Sequence, residues 1–278
     1  MVRARCRRLV SLAAGVSLLA GSAAACSSPG AAYSPRPKAS VTPALDVALK
    51  DQSFVYRTGD HLTGSDYQPT TNVYGDVDGR PLYLVGDSMA AQLATPALAV
   101  AKKRGLALKP RSKATVSFVL PAEGPPDERR WREEVLEQIV ADKEERPIVL
   151  LTGQGMDHTG EVIRTVARLR EQADADVRLV TVTPAPKEDV LSEVVEHGTG
   201  FRWTRKHWGR SRDAMLAAAR SSRPRVPLLD LKPIVARDGR DGTYPAVVDG
   251  TLIFGPGTHL TDTFATRYLE APIDDLLD

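Results

Sequence analysis

Cysteine is almost missing from this chain of 278 residues: there are two, Cys6 and Cys26. Cys6 falls inside an N-terminal stretch that reads as an export signal, so a single thiol survives its removal. One thiol can form neither an internal disulfide nor a cysteine-based metal site. No His-Glu-x-x-His pair or clustered carboxylate set occurs, and His197, His207 and the other histidines are scattered, so no metal is expected. The glycines form neither a Walker nor a dinucleotide fingerprint, which argues against nucleotides, and no cofactor is expected. No internal repeat is present. An apolar run long enough to span a membrane is also lacking: residues 9 to about 20 fall short of the roughly 20 apolar residues a spanning helix needs.

That short run has another reading. Arg3, Arg5, Arg7 and Arg8 precede it and small residues lead from it to Cys26, the layout of an export signal. Ala23-Ala24-Ala25-Cys26 resembles a lipobox, whose cysteine is lipidated once it becomes the first mature residue. Ala23 stands where such signals prefer leucine, so ordinary cleavage at the Ala-x-Ala stays open. The expectation is a lipoprotein-type signal peptide over residues 1–25 and a lipid anchor on Cys26, holding the protein on the outer face of the cell membrane, with secretion as the alternative. Charge follows the same cut. The whole chain has 37 basic and 35 acidic residues; the four signal arginines leave with the signal and no acid does, so +2 becomes −2. The basic excess belongs to the discarded segment, and nucleic acid is not expected as a partner. Local basic clusters at Lys102-Lys103-Arg104 and across residues 202–212 read as solvated surface, with an anionic polymer site as the minor alternative.

Residues 26–44, rich in Ser, Ala and Pro, cannot bury enough apolar surface to order themselves and read as a flexible tether. Residues 45–80 mix polar and turn residues and read as an N-terminal extension. Residues 81–278 alternate apolar runs with amphipathic stretches, the pattern of one α/β domain. Strands are expected at 82–85, 148–151, 177–182, 226–229 and 251–254, with a weaker candidate at 115–120. Helices are expected at 89–103, 127–143, 161–172, 211–221 and 262–277. The continuously apolar Ile148-Val149-Leu150-Leu151 fits a parallel sheet covered on both faces. In such sheets ligands sit beyond the carboxyl ends of the strands.

Within this pattern Leu82-Tyr83-Leu84-Val85-Gly86-Asp87-Ser88-Met89 is the most informative stretch, because it puts a serine hydroxyl where a strand ends and a helix begins. Gly86 permits the tight bend, and a helix N-terminus aims backbone N–H groups at developing negative charge. Serine attacks carbonyls when it is exposed, positioned and served by a base. Far downstream, Phe254-Gly255-Pro256-Gly257-Thr258-His259-Leu260-Thr261 offers His259 in a Gly-rich loop followed by an amphipathic helix. Asp87 reads as a structural group that ties the turn together through backbone N–H groups. Asp60-His61-Leu62-Thr63 imitates the late His-Leu-Thr, but no clear helix follows it; it reads as a surface turn, with His61 a minor alternative base.

An early Gly86-Asp87-Ser88 with a late His259-Leu260-Thr261 resembles the SGNH, or GDSL-type, hydrolases. More narrowly, the chain resembles the SGNH domains found beside or fused to membrane O-acyltransferases that modify bacterial envelope polysaccharides. The landmarks are residues 84–98, Leu179-Val180-Thr181-Val182-Thr183-Pro184-Ala185-Pro186 and residues 249–277. The resemblance implies an SGNH-hydrolase-like, flavodoxin-like parallel sheet with helices on both faces. It implies Ser88 as nucleophile, His259 as base and the Ser88 backbone N–H as an oxyanion donor. The family's glycine and asparagine donors have no plain counterpart. Gln154 stands in Thr152-Gly153-Gln154-Gly155, about where relatives carry Gly-x-Asn-Asp, and its side-chain amide is the candidate second donor. Asp157 and His158 read as rim residues. The family's aspartate three residues before the histidine is replaced by Pro256, leaving Asp249, Asp262 or a backbone carbonyl to orient His259.

The leading expectation is therefore an exported esterase or acyltransferase acting on O-acyl groups, acetyl foremost, of a cell-envelope glycan or an acylated small molecule. A membrane acyltransferase is an expected partner. Hydrolysis and transfer use the same residues and both stay open. The rival, from a different class, is a catalytically degenerate SGNH-fold lipoprotein that binds glycan or serves as a scaffold; Pro256 and the missing donors favour it. Phe201, Trp203, Trp208 and Tyr244 are candidate sugar-stacking aromatics, against the plainer reading of cover for the core.

Overall fold

Every position from Pro81 to Gly86 is buried, and in the computed structural model this run is the axis of a sheet covered on both sides. The structure describes residues 40–207 and 209–278. The export signal, Cys26, most of the tether and Trp208 lie outside them.

In chain order the elements are α1 (Val55–Thr58), β1 (His61–Leu62), β2 (Tyr74–Gly75), β3 (Arg80–Gly86), α2 (Ser88–Ala91), α3 (Ala94–Arg104), β4 (Leu106–Lys113), α4 (Pro126–Ala141), β5 (Ile148–Leu151), α5 (Thr159–Ala173) and β6 (Asp176–Val180). There follow β7 (Ala185–Pro186), α6 (Val190–His197), β8 (Arg202–His207), α7 (Arg210–Ser221), β9 (Leu228–Leu229), α8 (Lys232–Val235), β10 (Thr243–Pro245), β11 (Val247–Val248), β12 (Thr251–Leu252) and α9 (Asp262–Leu276). The main sheet runs β1-β4-β3-β5-β6-β9, all parallel, with β2 antiparallel on β4. Taken from β3 as the first strand, β4-β3-β5-β6-β9 is the 2-1-3-4-5 order of flavodoxin-like folds. Residues 61–62 and 74–75 are thus woven into the sheet that residues 81–278 build.

Side-chain alternation divides the core in two. Leu82, Leu84, Ile148, Leu150 and Val180 face a cluster that includes α3 and α9; Tyr83, Val85, Val149, Leu151, Val177 and Leu179 face one that includes α4, α5 and α7. α9 seats itself through Phe264, Ala265, Leu269, Ile273 and Leu276, and Thr261 caps it by accepting a hydrogen bond from the Phe264 N–H at 3.1 Å.

Three expectations need correction. The helix expected over 89–103 is two helices, because Pro96 has no N–H to give to the Gln92 carbonyl and the ladder breaks there. Residues 115–120 form no strand; the strand that flanks β3 is β4. Its Pro110 sits where the outer edge of β4 has no strand partner, between the registers of β2 at Ala107–Leu108 and β1 at Ser112–Lys113. Residues 251–254 do not join the main sheet, since β12 pairs antiparallel with β11. Trp203 takes the plainer of its two readings: it is fully buried, packed on Tyr244 at 4.7 Å and edge-on to Phe254 at 5.3 Å, with its indole N–H donated to the Pro245 carbonyl, so it belongs to the core and offers no face to a sugar.

Candidate functional site

The strand order reverses between β3 and β5, and the carboxyl ends of those two strands frame the crevice where such folds hold ligands. Ser88 follows β3 and Gln154 follows β5. The two strand ends approach closely: a Cβ on Gly86, whose φ is +153°, would lie 1.9 Å from the Thr152 carbonyl oxygen. Only glycine fits there.

Asp87 knots the two ends together. Its carboxylate accepts from the Met89 N–H at 2.8 Å and the Gln154 N–H at 2.6 Å, and the Ser117 hydroxyl lies 3.3 Å away. Ser117 in turn accepts from the Gly155 N–H at 2.8 Å, which draws in the loop after β4. Burial pushes the Asp87 carboxyl above its ordinary pKa, opposed by those two N–H groups, Ser117 and the nearby His259. Ser88 opens α2 and is half-buried. The Gln154 side chain is exposed, its amide nitrogen 3.8 Å from Met89 Sδ.

His259 arrives on a loop pinned on both sides. Its carbonyl accepts from the Gly255 N–H at 3.0 Å, and the Thr261 N–H donates to the Ile253 carbonyl at 2.9 Å. Between them the Leu260 N–H donates to Gln92 Oε1 at 2.9 Å. Gln92 lies one helical turn beyond Ser88, and its N–H donates to the Ser88 carbonyl at 3.2 Å. One buried side chain therefore fastens the histidine loop to the helix that starts at Ser88. A glutamine in a helix carries no sequence signal of such a role, apart from its four-residue spacing from the serine.

The imidazole is half-buried. Nε2 is buried with no hydrogen-bond partner among the described residues, so it makes no bond to the Ser88 hydroxyl in this state. Burial holds the ring below its ordinary pKa of 6.5; the Pro256 backbone oxygen and the Asp87 carboxylate oppose that shift by favouring the protonated form. Asp249 is taken up elsewhere, by the Tyr268 hydroxyl at 3.1 Å and Arg237 at 3.6 Å. Asp262 is half-buried beside Thr95 and Asp51, its pKa raised by burial. Of the three orienting groups considered from sequence, the one beside the imidazole is the backbone carbonyl at residue 256.

His61 departs from its surface-turn reading. It is 7% exposed, because β1 lies against β4 and brings Nδ1 to 3.0 Å from the Ser112 hydroxyl at the same rim. Tyr56 packs edge-on to it with ring centroids 4.8 Å apart, and lies 6.5 Å from His259. The Tyr56 hydroxyl is buried with no partner among the described residues, and its pKa is pushed up to about 12 by burial and by Asp87. His158 caps α5 and is exposed, and Asp157 accepts from the Ser211 hydroxyl. Among the described residues no three His, Cys, Asp or Glu side chains converge as a metal site would require, and no helix is long and apolar enough to cross a membrane.

Comparison with known proteins follows the same lines. A family model described as "SGNH domain (fused to AT3 domains)" matches residues 58–272. Among solved structures the chain is similar to the periplasmic domain of the lipopolysaccharide acetyltransferase of Salmonella ser. Paratyphi A, with 11% identity and a TM-score of 0.57 over 73% of this chain and 85% of that one. At that identity the likeness is one of fold. No curated protein matches the chain.

Proposed function

The chain belongs to the SGNH domains of the kind fused to AT3 domains, and from that membership we propose that it transfers or hydrolyses O-acyl groups, acetyl foremost, on a cell-envelope glycan outside the cytoplasm. The observation that carries the proposal is the tie from Ser88 through Gln92 to the loop of His259, at the switch point of the sheet. Ser88 Oγ attacks the ester carbonyl as His259 Nε2 takes its proton; burial keeps that imidazole neutral near pH 7 and able to do so. The Ser88 N–H, with the Gln154 side-chain amide, faces the oxyanion. The imidazolium then returns the proton to the departing sugar hydroxyl, leaving an acyl-serine. Water or a second hydroxyl attacks that ester, with His259 again the base, and regenerates Ser88. An AT3-type membrane acyltransferase is the proposed partner that supplies acyl groups, and lipidation of Cys26 would hold the domain beside it.

A second reading, a scaffold that no longer turns over, has its own observation: Pro256 stands where the family carries aspartate, and Ser88 is not hydrogen-bonded to His259. Fluorophosphonate labelling of the full-length protein, paired with turnover of 4-nitrophenyl acetate, decides between the two. Labelling and turnover that vanish in Ser88→Ala support the enzyme. Wild-type rates equal to those of Ser88→Ala, with no label, refute it.

A further inference from the structure

Beside the Ser88 turn lies a cavity of about 910 Å³, at the upper end of ligand pockets, which run from about 300 to 1,000 Å³. Gln154 and Thr183 form its near wall, and their Nε2 and Oγ1 atoms lie 3.8 and 3.3 Å from Met89 Sδ, one residue past the serine. The far wall is made by Lys187, Arg205, Lys206 and Arg210, from the segment after β7, from β8 and from the first turn of α7. All four are exposed. Two carboxylates also line the space and offset part of that charge: Asp157, which accepts from the Ser211 hydroxyl, and Asp213, 3.3 Å from the Arg212 guanidinium that also pairs with Asp230. Gly209 gives α7 no side-chain cap, so the positive end of that helix adds to the field.

The lining thus holds four basic side chains against two carboxylates. Guanidinium and ammonium groups match carboxylate and phosphate oxygens in charge and geometry.

We propose that this cavity is a subsite for an anionic substituent, carboxylate or phosphate, on the glycan whose ester reaches Ser88. The proposal rests on the reading of Ser88 as the reacting group and adds the class of glycan to it. The test is calorimetric titration of the full-length Ser88→Ala protein, which cannot turn over its ligand, with three oligosaccharides of equal length: an oligogalacturonate, a phosphate-bearing oligomannoside and a neutral dextran. At least one anionic glycan should bind about tenfold or more tighter than dextran, the equivalent of two or three partly exposed ion pairs. Which of them does so separates a carboxylate ligand from a phosphate one. The preference should shrink as salt rises from about 50 to about 500 mM, and the double change Lys187→Glu with Arg210→Glu should abolish it.

Dextran binding as tightly as both anionic glycans, or a preference untouched by salt and by charge reversal, overturns the proposal. If charge reversal unfolds the protein, Lys187→Gln with Arg210→Gln and the salt series on the unaltered cavity put the same question. Turnover of 4-nitrophenyl acetate by the wild type is read separately. Its absence alongside anionic binding would sink the Ser88 reading and keep the anion site; its presence without anionic preference would do the reverse.

Discussion

Acidification should loosen this protein through His61, and the size of the effect can be worked out. His61 is buried under Tyr56 at the edge of the sheet, and burial, then His259, then Lys113 bring its pKa from 6.5 down to about 4. The unfolded chain binds the proton at the higher pH, so its stability contribution is complete above about 6.5 and is lost as pH falls toward the folded value. At about pH 4.5 the two pKa values convert to a loss of about 2 to 3 kcal/mol. Other groups also titrate: His259 is lowered by burial and acts with the same sign, while Asp87 is raised by burial and acts with the opposite one. They are common to wild type and variant. His61→Gln keeps a polar partner for the Ser112 hydroxyl and removes the titration. Urea unfolding of both proteins at about pH 7.5 and about pH 4.5 should show the wild type losing about 2 to 3 kcal/mol more than the variant. Equal losses in the two proteins would refute the placement of His61 as a buried, neutral imidazole.

Two other expectations follow from the same rim. Gly86→Ala places a methyl group 1.9 Å from the Thr152 carbonyl oxygen, so the β3 and β5 ends must part; urea unfolding should show a loss of about 3 kcal/mol, and unchanged stability would contradict the close approach. Gln92→Ala leaves the Leu260 N–H without its acceptor and frees the loop of His259; if the enzyme reading holds, kcat on 4-nitrophenyl acetate should fall about 100-fold with KM little changed, whereas an effect confined to KM would deny Gln92 a positioning role.

What the sequence made legible were the elements whose surroundings are uniform. Ile148–Leu151 is apolar at every position because both its faces are covered, and it occupies the span its pattern predicts. α9 announces itself by a threonine cap and an apolar stripe. β4 was hidden because its polar side chains are satisfied at a distance in sequence: Lys109 by Asp142 at 2.5 Å, Arg111 by Gln138 at 2.5 Å and Lys113 by the Gly64 carbonyl at 2.8 Å. Residues 251–254 misled for the opposite reason. Their apolar run meets a covered environment, but one made by β11 and α9 and not by the main sheet. The Ser88 turn and the His259 loop could be picked out as motifs, while Gln92, Ser117 and Tyr56 could not, since their contacts are created only by the tertiary fold.

Position 256 shows what a motif comparison can and cannot see. Replacing the family's aspartate by proline removes a carboxylate, but every residue keeps its main-chain oxygen. Here the chain reverses over Pro256-Gly257-Thr258-His259, with Gly257 at φ +64° and the His259 N–H 3.5 Å from the Pro256 carbonyl oxygen. That oxygen favours the protonated ring. An acceptor therefore survives where the charge does not, and the distinction has a chemical consequence. A carboxylate stabilises an imidazolium by full charge, whereas a carbonyl offers only a dipole. Burial wins over the Pro256 oxygen and Asp87 together, since the net shift of His259 is downward. On the proposed reading, His259 is a neutral base of modest strength, better matched to an acceptor hydroxyl already held against the acyl-serine than to dilute attack by water. Holding the acceptor can supply by proximity what the triad lacks in charge, and an acceptor glycan that carries the same anionic substituent as the ester-bearing one would be held by the same proposed subsite beside Gln154 and Thr183.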